Sequence, residues 1–194
     1  MKGLAVAAVS SIMMLAGQLG TAHTAAAQQP GSLDRLVGLL AERLDTADTV
    51  AEVKWAAAQQ NGSQPTIDDP AREAAIYDAM TQLGAQHDLP ADRVRQVFQG
   101  QIEANKTVQR GLVTVWRSGL QNAPAPVTDL TGIRPVIDRV NFQIIDEMAA
   151  QRTELAAPDC TAQLASSVLA AGSREHDPLH QAALVQASMP LCES

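Results

Sequence analysis

Apolar residues recur every three or four positions along most of the chain, a spacing that places them on one face of a helix. The clearest example begins near Ser32, where Leu33, Leu36, Leu40 and Leu44 form one apolar stripe. The alternation of apolar and polar residues that is typical of strands is hard to find anywhere. The pattern therefore predicts a protein made mainly of helices.

Turn-forming residues divide this helical pattern into segments. The stretches NGSQPTIDDP and HDLPADRV are rich in turn residues, and QNAPAPVTDLTG contains two prolines that block regular structure. We expect helices from near Ser32 to about residue 60, from Pro70 to about Gln86, from about Ala91 to Leu120, after Arg134 and Pro135 to about Ala157, near 160–171 and near 177–188. These segments predict an all-α fold, a single-domain bundle of about six helices.

The N-terminal segment has the features of a secretory signal. Its only charged residue before Asp34 is Lys2, an apolar stretch runs from Leu4 to Ala16, and small residues follow in TAAA. A membrane anchor is the alternative, but the apolar run is shorter than the roughly 20 residues that a spanning helix needs. We expect cleavage after Ala27, which leaves 28–194 as a secreted or periplasmic protein without a membrane segment.

Charge and cysteine content narrow the picture further. The chain has a net charge of −7, so nucleic acid and anionic membranes are poor partners, because both attract a basic face. Only two cysteines are present, Cys160 and Cys192. An even number in an oxidising compartment predicts one disulfide.

Cations lie at the margin of the apolar stripe on the first helix. Arg43 and Lys54, eleven residues apart, project to one side of that helix beside its buried face. A charge there is costly without a partner. Each side chain therefore extends its charged end to solvent, pairs with a carboxylate of a neighbouring helix, or contacts a bound ligand. In IDDPARE, Asp69, Arg72 and Glu73 share the start of the second helix, where such residues are often simply solvated.

The third helix carries a stripe of neutral polar side chains in QIEANKTVQRGL. Gln101, Asn105 and Gln109 recur every fourth residue and so lie on one face. A row of uncharged hydrogen-bonding side chains beside an apolar face suggests a helix that lines a pocket.

Taken together, AERLDTADTVAEVKW, DDPAREAAI and QIEANKTVQRGL resemble the all-helical chorismate mutases. The signal segment, the late cysteine pair and DLTGIRPVIDRVN resemble the exported subclass of that family. The resemblance covers nearly all of the chain after the signal. Its active-site framework corresponds here to Arg43, Lys54, Asp69, Arg72, Asn105 and Gln109.

The resemblance implies a role for each of these residues in converting chorismate to prephenate. Arg43 and Arg134 would hold the two carboxylates of the substrate with help from Arg72, while Lys54 and Gln109 would donate to the ether oxygen. Asp69 and Glu73 would accept from the ring hydroxyl or adjacent backbone, and Asn105 stands where relatives usually carry Ser or Thr. Asn105 and Gln109 would line the pocket opposite the cations of the first helix, and Gln101 would face solvent. The resemblance also implies a homodimer whose pocket is complete within one protomer.

The reaction requires no cofactor and no metal. It is a Claisen rearrangement, in which one C–O bond breaks as one C–C bond forms, so it depends on orientation and on donors near the oxygen that gains charge. His176 and His180 in HDPLH have a spacing seen in zinc sites, but Pro178 lies between them and no third ligand suggests itself. The alternative is an exported non-enzymatic helical protein that binds a small dianion or a protein partner.

Overall fold

A computed structural model of the chain describes residues 33–125, 129–174 and 177–192. Within these ranges it contains seven α-helices, one 3₁₀ turn and no strand, which confirms the all-α prediction. The helices are α1 (Asp34–Asn61), α2 (Pro70–Ala85), α3 (Ala91–Ser118), α4 (Arg134–Ala150), α5 (Arg152–Leu155), α6 (Cys160–Gly172) and α7 (Pro178–Ser188), followed by the 3₁₀ turn Met189–Leu191.

The two longest helices, α1 and α3, form the centre of the bundle. Each has 28 residues, or about 42 Å at 1.5 Å per residue. Leu36 and Leu40 of α1 and Val94 and Phe98 of α3 are completely buried. Helices α2 and α7 pack against α3, and α4, α6 and α7 pack against α1. The predicted apolar stripe of α1 is therefore the main core surface.

Local sequence signals explain where most helices begin and end. Gly62 follows α1 and Gly119 follows α3, and both adopt the left-handed backbone (φ of 62° and 71°) that glycine reaches without strain. Pro70 occupies the first turn of α2, where its missing N–H costs nothing, and the Asp69 side chain accepts from the Arg72 N–H.

One helix differs from the expectation. The segment predicted as a single helix to about Ala157 leaves helical geometry at Gln151 (φ −99°, ψ 19°), and the one-turn α5 continues after it. The Gln151 N–H bonds the Glu147 carbonyl, and its side-chain amide donates to the Glu147 carboxylate at 3.0 Å. No glycine or proline marks this break, so the sequence pattern did not reveal it.

The predicted disulfide is present. Cys160 at the start of α6 is bonded to Cys192 after the 3₁₀ turn, with their Cα atoms 5.8 Å apart. The bond joins the end of the described chain to the α6 segment of the core. The predicted signal, residues 1–27 with cleavage after Ala27, lies outside the described residues. None of the described helices combines the length and the apolar composition that a membrane crossing requires.

Candidate active site

A cavity of about 210 Å³ lies between α1, α2, α3 and the start of α4. Its wall contains all eight residues that the sequence singled out, contributed by these four helices and by the loop of residues 62–69 between α1 and α2, called here the α1–α2 loop. The eight are Arg43, Lys54, Asp69, Arg72, Glu73, Asn105, Gln109 and Arg134. Residues separated by up to 91 positions in the chain are thus brought to one space.

Arg43 is the most deeply buried cation of this wall, with 4% of its surface exposed. Its Nε donates to Asn141 Oδ1 at 2.7 Å, and Nη1 approaches the Gln101 carbonyl at 3.4 Å. Within the described part of the chain no carboxylate pairs with it. Burial lowers the pKa of Arg43 to about 10, so it remains charged at neutral pH. Its neutral partners leave the positive charge available to an anion in the cavity.

Lys54 lies three turns along the same side of α1 and is half-buried. Its Nζ donates to the Ile67 carbonyl of the α1–α2 loop at 2.7 Å. Burial lowers the pKa of Lys54, and nearby carboxylates, Asp69 foremost, oppose that change. An ammonium has three N–H groups, so two remain beyond the bond to Ile67.

The start of α2 places a carboxylate and a guanidinium at the cavity. Asp69 caps α2, its Oδ1 accepting from the Arg72 N–H at 3.1 Å. Glu73 Oε1 lies 3.4 Å from the Asp69 N–H and 3.1 Å from Lys106 Nζ. The guanidinium of Arg72 and that of Arg134, at the first position of α4, are exposed at the rim.

Asn105 and Gln109 line the cavity as expected and bond each other. Gln109 Nε2 donates to Asn105 Oδ1 at 2.6 Å, while Gln109 Oε1 is buried without a partner in the described structure. The expectation that Gln101 faces solvent is wrong, because it is 1% exposed and its Nε2 approaches the Ala187 carbonyl at 3.5 Å. Helix α7 covers this part of α3, a contact that the pattern of α3 alone does not predict.

Two residues that the sequence did not single out belong to the site. Asn141 of α4 is buried and orients the Arg43 guanidinium. Lys106 of α3 lines the cavity next to Asn105 and is surrounded by carboxylates. Neither has a sequence signal of its own, since Arg43 reaches Asn141 from α1, and two of the three carboxylates around Lys106 come from outside α3.

Similarity to known proteins identifies the family of this chain. The family model described as chorismate mutase type II matches residues 34–110. A secreted chorismate mutase of Mycolicibacterium smegmatis is 34% identical over 183 residues, which are 94% of this chain and 97% of that protein. The chain belongs to the chorismate mutase family. Its activity is the isomerisation of chorismate to prephenate.

Further relatives of this chorismate mutase cover most of its length. The secreted chorismate mutase of Mycobacterium tuberculosis is 32% identical over 175 residues, 88% of this chain and 83% of that protein. The crystal structure of a chorismate mutase from Burkholderia phymatum superimposes with a TM-score of 0.76 at 30% identity, covering 85% of this chain and 98% of that one. The prediction of an exported chorismate mutase is confirmed, and its non-enzymatic alternative is not supported.

Outside the cavity, the buried side chain of His180 in this chorismate mutase forms ionic contacts with two half-exposed carboxylates and links α7 to α1. Its Nδ1 lies 2.6 Å from Asp177 and its Nε2 lies 3.1 Å from Asp48. The hydrogen bond to Asp48 raises the pKa of His180 to about 9. Burial opposes this increase, and the hydrogen bond to Asp177 adds to it. His176 lies outside the described residues. Among those that are described, no group of three His, Cys, Asp or Glu side chains could hold a metal.

Proposed function

We propose that chorismate binds and rearranges in the cavity between α1, α2, α3 and α4. The observation that carries this assignment is the convergence of four cations, from three different helices, on one space of about 210 Å³: Arg43, Lys54, Arg72 and Arg134. Chorismate is a small dianion. Arg43 is buried and Lys54 is half-buried, so their charges are costly unless an anion approaches them, while Arg72 and Arg134 extend the positive charge to the rim.

The chemistry of the rearrangement suits such a cavity. The ether C–O bond of chorismate breaks while a C–C bond forms within the same molecule, so no atom is transferred to or from the protein. The protein lowers the barrier by holding the flexible substrate in its compact reactive shape and by donating hydrogen bonds to the ether oxygen as negative charge grows there.

The positions of the side chains support one division of labour. Arg43, Arg72 and Arg134 hold the two carboxylates, because guanidinium groups match carboxylate geometry. Lys54 and Gln109 donate to the ether oxygen. Each has a donor committed within the protein, to Ile67 and Asn105 respectively, and each retains at least one further N–H.

The remaining residues complete the proposed site. Glu73 and Asp69, at the start of α2, accept from the ring hydroxyl directly or through adjacent backbone. Asn105 keeps one face toward Gln109 and can donate its own amide N–H groups to a substrate carboxylate.

The first experiment follows chorismate absorbance with purified protein that lacks residues 1–27, and identifies prephenate as the product. Arg134→Met should raise KM and lower kcat/KM about 10- to 100-fold, the effect of losing hydrogen bonds to a charged group. Arg139→Met on the same helix is the matched control, because Arg139 is exposed and pairs with Glu42 outside the cavity. Equal kcat/KM values for the two variants would contradict the assignment of Arg134.

We also propose that the protein is a homodimer. Segments 160–173 and 178–192 contain no Asp, Glu, Lys or Arg, although the chain as a whole is acidic. Leu169, Val185 and Met189 of these segments are largely exposed. A second acidic copy would meet least repulsion at segments that expose apolar side chains and contain no acidic residue. Light scattering of the purified protein should give twice the chain mass, and the mass of one chain across micromolar concentrations would refute this.

A further inference from the structure

Lys106 makes an unusual set of contacts for a residue in the wall of an anion site. Only 10% of its side chain is exposed, and its Nζ lies 3.2 Å from Asp68, 3.1 Å from Glu73 and 2.5 Å from Glu103. An ammonium has three N–H groups, so these three carboxylates use all of them. Lys106 has no donor left for a substrate, and it differs in this respect from Arg43 and Lys54.

One of the three carboxylates belongs to the site itself. Glu73 is the proposed acceptor for the ring hydroxyl, and its side chain is 19% exposed. Glu73 lines the same cavity in which the two substrate carboxylates are proposed to bind. The Lys106 ammonium both fixes the position of Glu73 Oε1 and offsets its negative charge, which would otherwise repel the substrate.

A second carboxylate belongs to the α1–α2 loop. Asp68 receives Lys106 and also Arg110, whose Nη2 lies 2.7 Å away, and Arg117 bonds Gln64 of the same loop. The residue before Asp68 is Ile67, whose carbonyl accepts from Lys54 Nζ. Cations of α3 thus hold the α1–α2 loop, and the Ile67 carbonyl of that loop orients Lys54, a proposed donor to the ether oxygen.

We infer that Lys106 is a positioning residue for the rearrangement, which holds Glu73 and the α1–α2 loop in place while contacting no reacting atom. Helix α3 supplies Lys106 together with the substrate-facing Asn105 and Gln109. This one helix therefore fixes the position of Glu73 and of the α1–α2 loop relative to Asn105 and Gln109. The inference rests on the proposed function of the cavity.

The test replaces Lys106 by methionine, which keeps the length of the stem and removes the charge. We expect KM for chorismate to rise about 10-fold and kcat to fall about 10-fold, because a buried carboxylate loses its partner and the loop loses an anchor. Lys106→Arg keeps the charge and should recover most of kcat/KM. Combining Lys106→Met with Glu73→Gln removes the uncompensated charge and should lower KM again relative to Lys106→Met alone.

Arg110→Met provides the matched control. Arg110 contacts Asp68 at a half-exposed position but does not contact Glu73, so its loss should change kcat/KM less than about threefold. Hydrogen exchange of the amides at 64–69 should accelerate in Lys106→Met and stay unchanged in Arg139→Met. This second measurement needs no substrate and remains informative if the variant is inactive.

The outcomes separate the two proposals. Wild-type protein that leaves chorismate unchanged would overturn the proposed function of the cavity, whatever Lys106 does. Normal wild-type turnover together with unchanged KM, kcat and loop exchange in Lys106→Met would overturn the role of Lys106 alone. If the Lys106→Met protein does not fold, the Lys106→Arg protein provides the test. A folded Lys106→Arg protein that is no more active than the double variant carrying Lys106→Met and Glu73→Gln would then also overturn the role of Lys106.

Discussion

Replacing Lys54 by methionine tests the centre of the proposed mechanism. Lys54 is half-buried, points into the cavity from α1, and holds its Nζ in place through a 2.7 Å bond to the Ile67 carbonyl. A donor fixed before the reaction gains most when negative charge appears on the ether oxygen, since no reorganisation is then needed. Methionine keeps a similar apolar stem and removes both the charge and the donor.

The expected magnitude follows from the loss of one such donor, which costs about 3–4 kcal/mol in the transition state. This corresponds to a fall in kcat of roughly 150- to 1,000-fold. KM should change much less, because chorismate in its ground state carries little charge on the ether oxygen. The fold should be retained, because removing a half-buried charge relieves a desolvation cost.

The assay is steady-state loss of chorismate absorbance from pH 6 to pH 10, with circular dichroism to confirm folding. Burial lowers the pKa of Lys54 in the free protein below its ordinary value of about 10.4, so wild-type kcat/KM, which reports the free enzyme, should fall on the alkaline side earlier than a solvated lysine would cause. Lys54→Arg should be slower than wild type but lack this alkaline fall, since arginine stays charged. A Lys54→Met variant with kcat within about threefold of wild type would refute the role of Lys54.

Three further expectations concern pH and stability. Wild-type activity should hold through neutral and mildly alkaline pH, because the amide of Gln109 donates at any pH. The Gln109→Glu variant should be slow at pH 7.5 and recover activity at lower pH, as acid protonates the new carboxyl group. A flat pH profile for that variant would exclude donation by this side chain. Because folding raises the pKa of His180 to about 9, its contribution to the free energy of unfolding is complete below about pH 6.5 and is lost as pH rises through 9. Urea titrations should therefore show wild type losing on the order of 1–2 kcal/mol over that interval relative to His180→Gln, a figure that allows for solvent screening of the two half-exposed carboxylate partners; parallel curves for the two proteins would contradict it. Replacing Cys160 and Cys192 by serine opens a loop of 32 positions and should cost roughly 3–4 kcal/mol in the same titration, and an unchanged urea midpoint would show that the bond adds no stability.

The helices could be predicted from sequence where local residues determine their ends. Pro70 begins α2, and Gly119 follows α3 within two residues of the predicted end, because each acts through its own backbone. The break at Gln151 could not be predicted in this way. It has no proline or glycine, and the one-turn helix α5 that follows it begins without a side-chain cap.

The same distinction applies to the cavity. Arg43 and Lys54 could be placed together because one helix has a fixed rotation of 100° per residue, and the same rule relates Asn105 to Gln109. Gln101 obeys that rule too, but α7 covers it, so its burial depends on a contact made 86 positions later in the chain. Lys106 was missed for a similar reason, since two of its three carboxylates come from outside α3.

The partners of each buried cation, rather than its residue type, distinguish a binding role from a supporting role. Arg43 is deeply buried, yet among the described residues its side chain bonds the amide of Asn141 and a backbone carbonyl and pairs with no carboxylate, and burial lowers its pKa. Burial also lowers the pKa of Lys106, but three carboxylates more than offset this and hold that pKa above its ordinary value. A buried cation with neutral partners is costly in the empty protein, and an anionic substrate relieves that cost on binding. A cation already neutralised by carboxylates gains nothing from the substrate, so it serves to hold the surrounding elements in place.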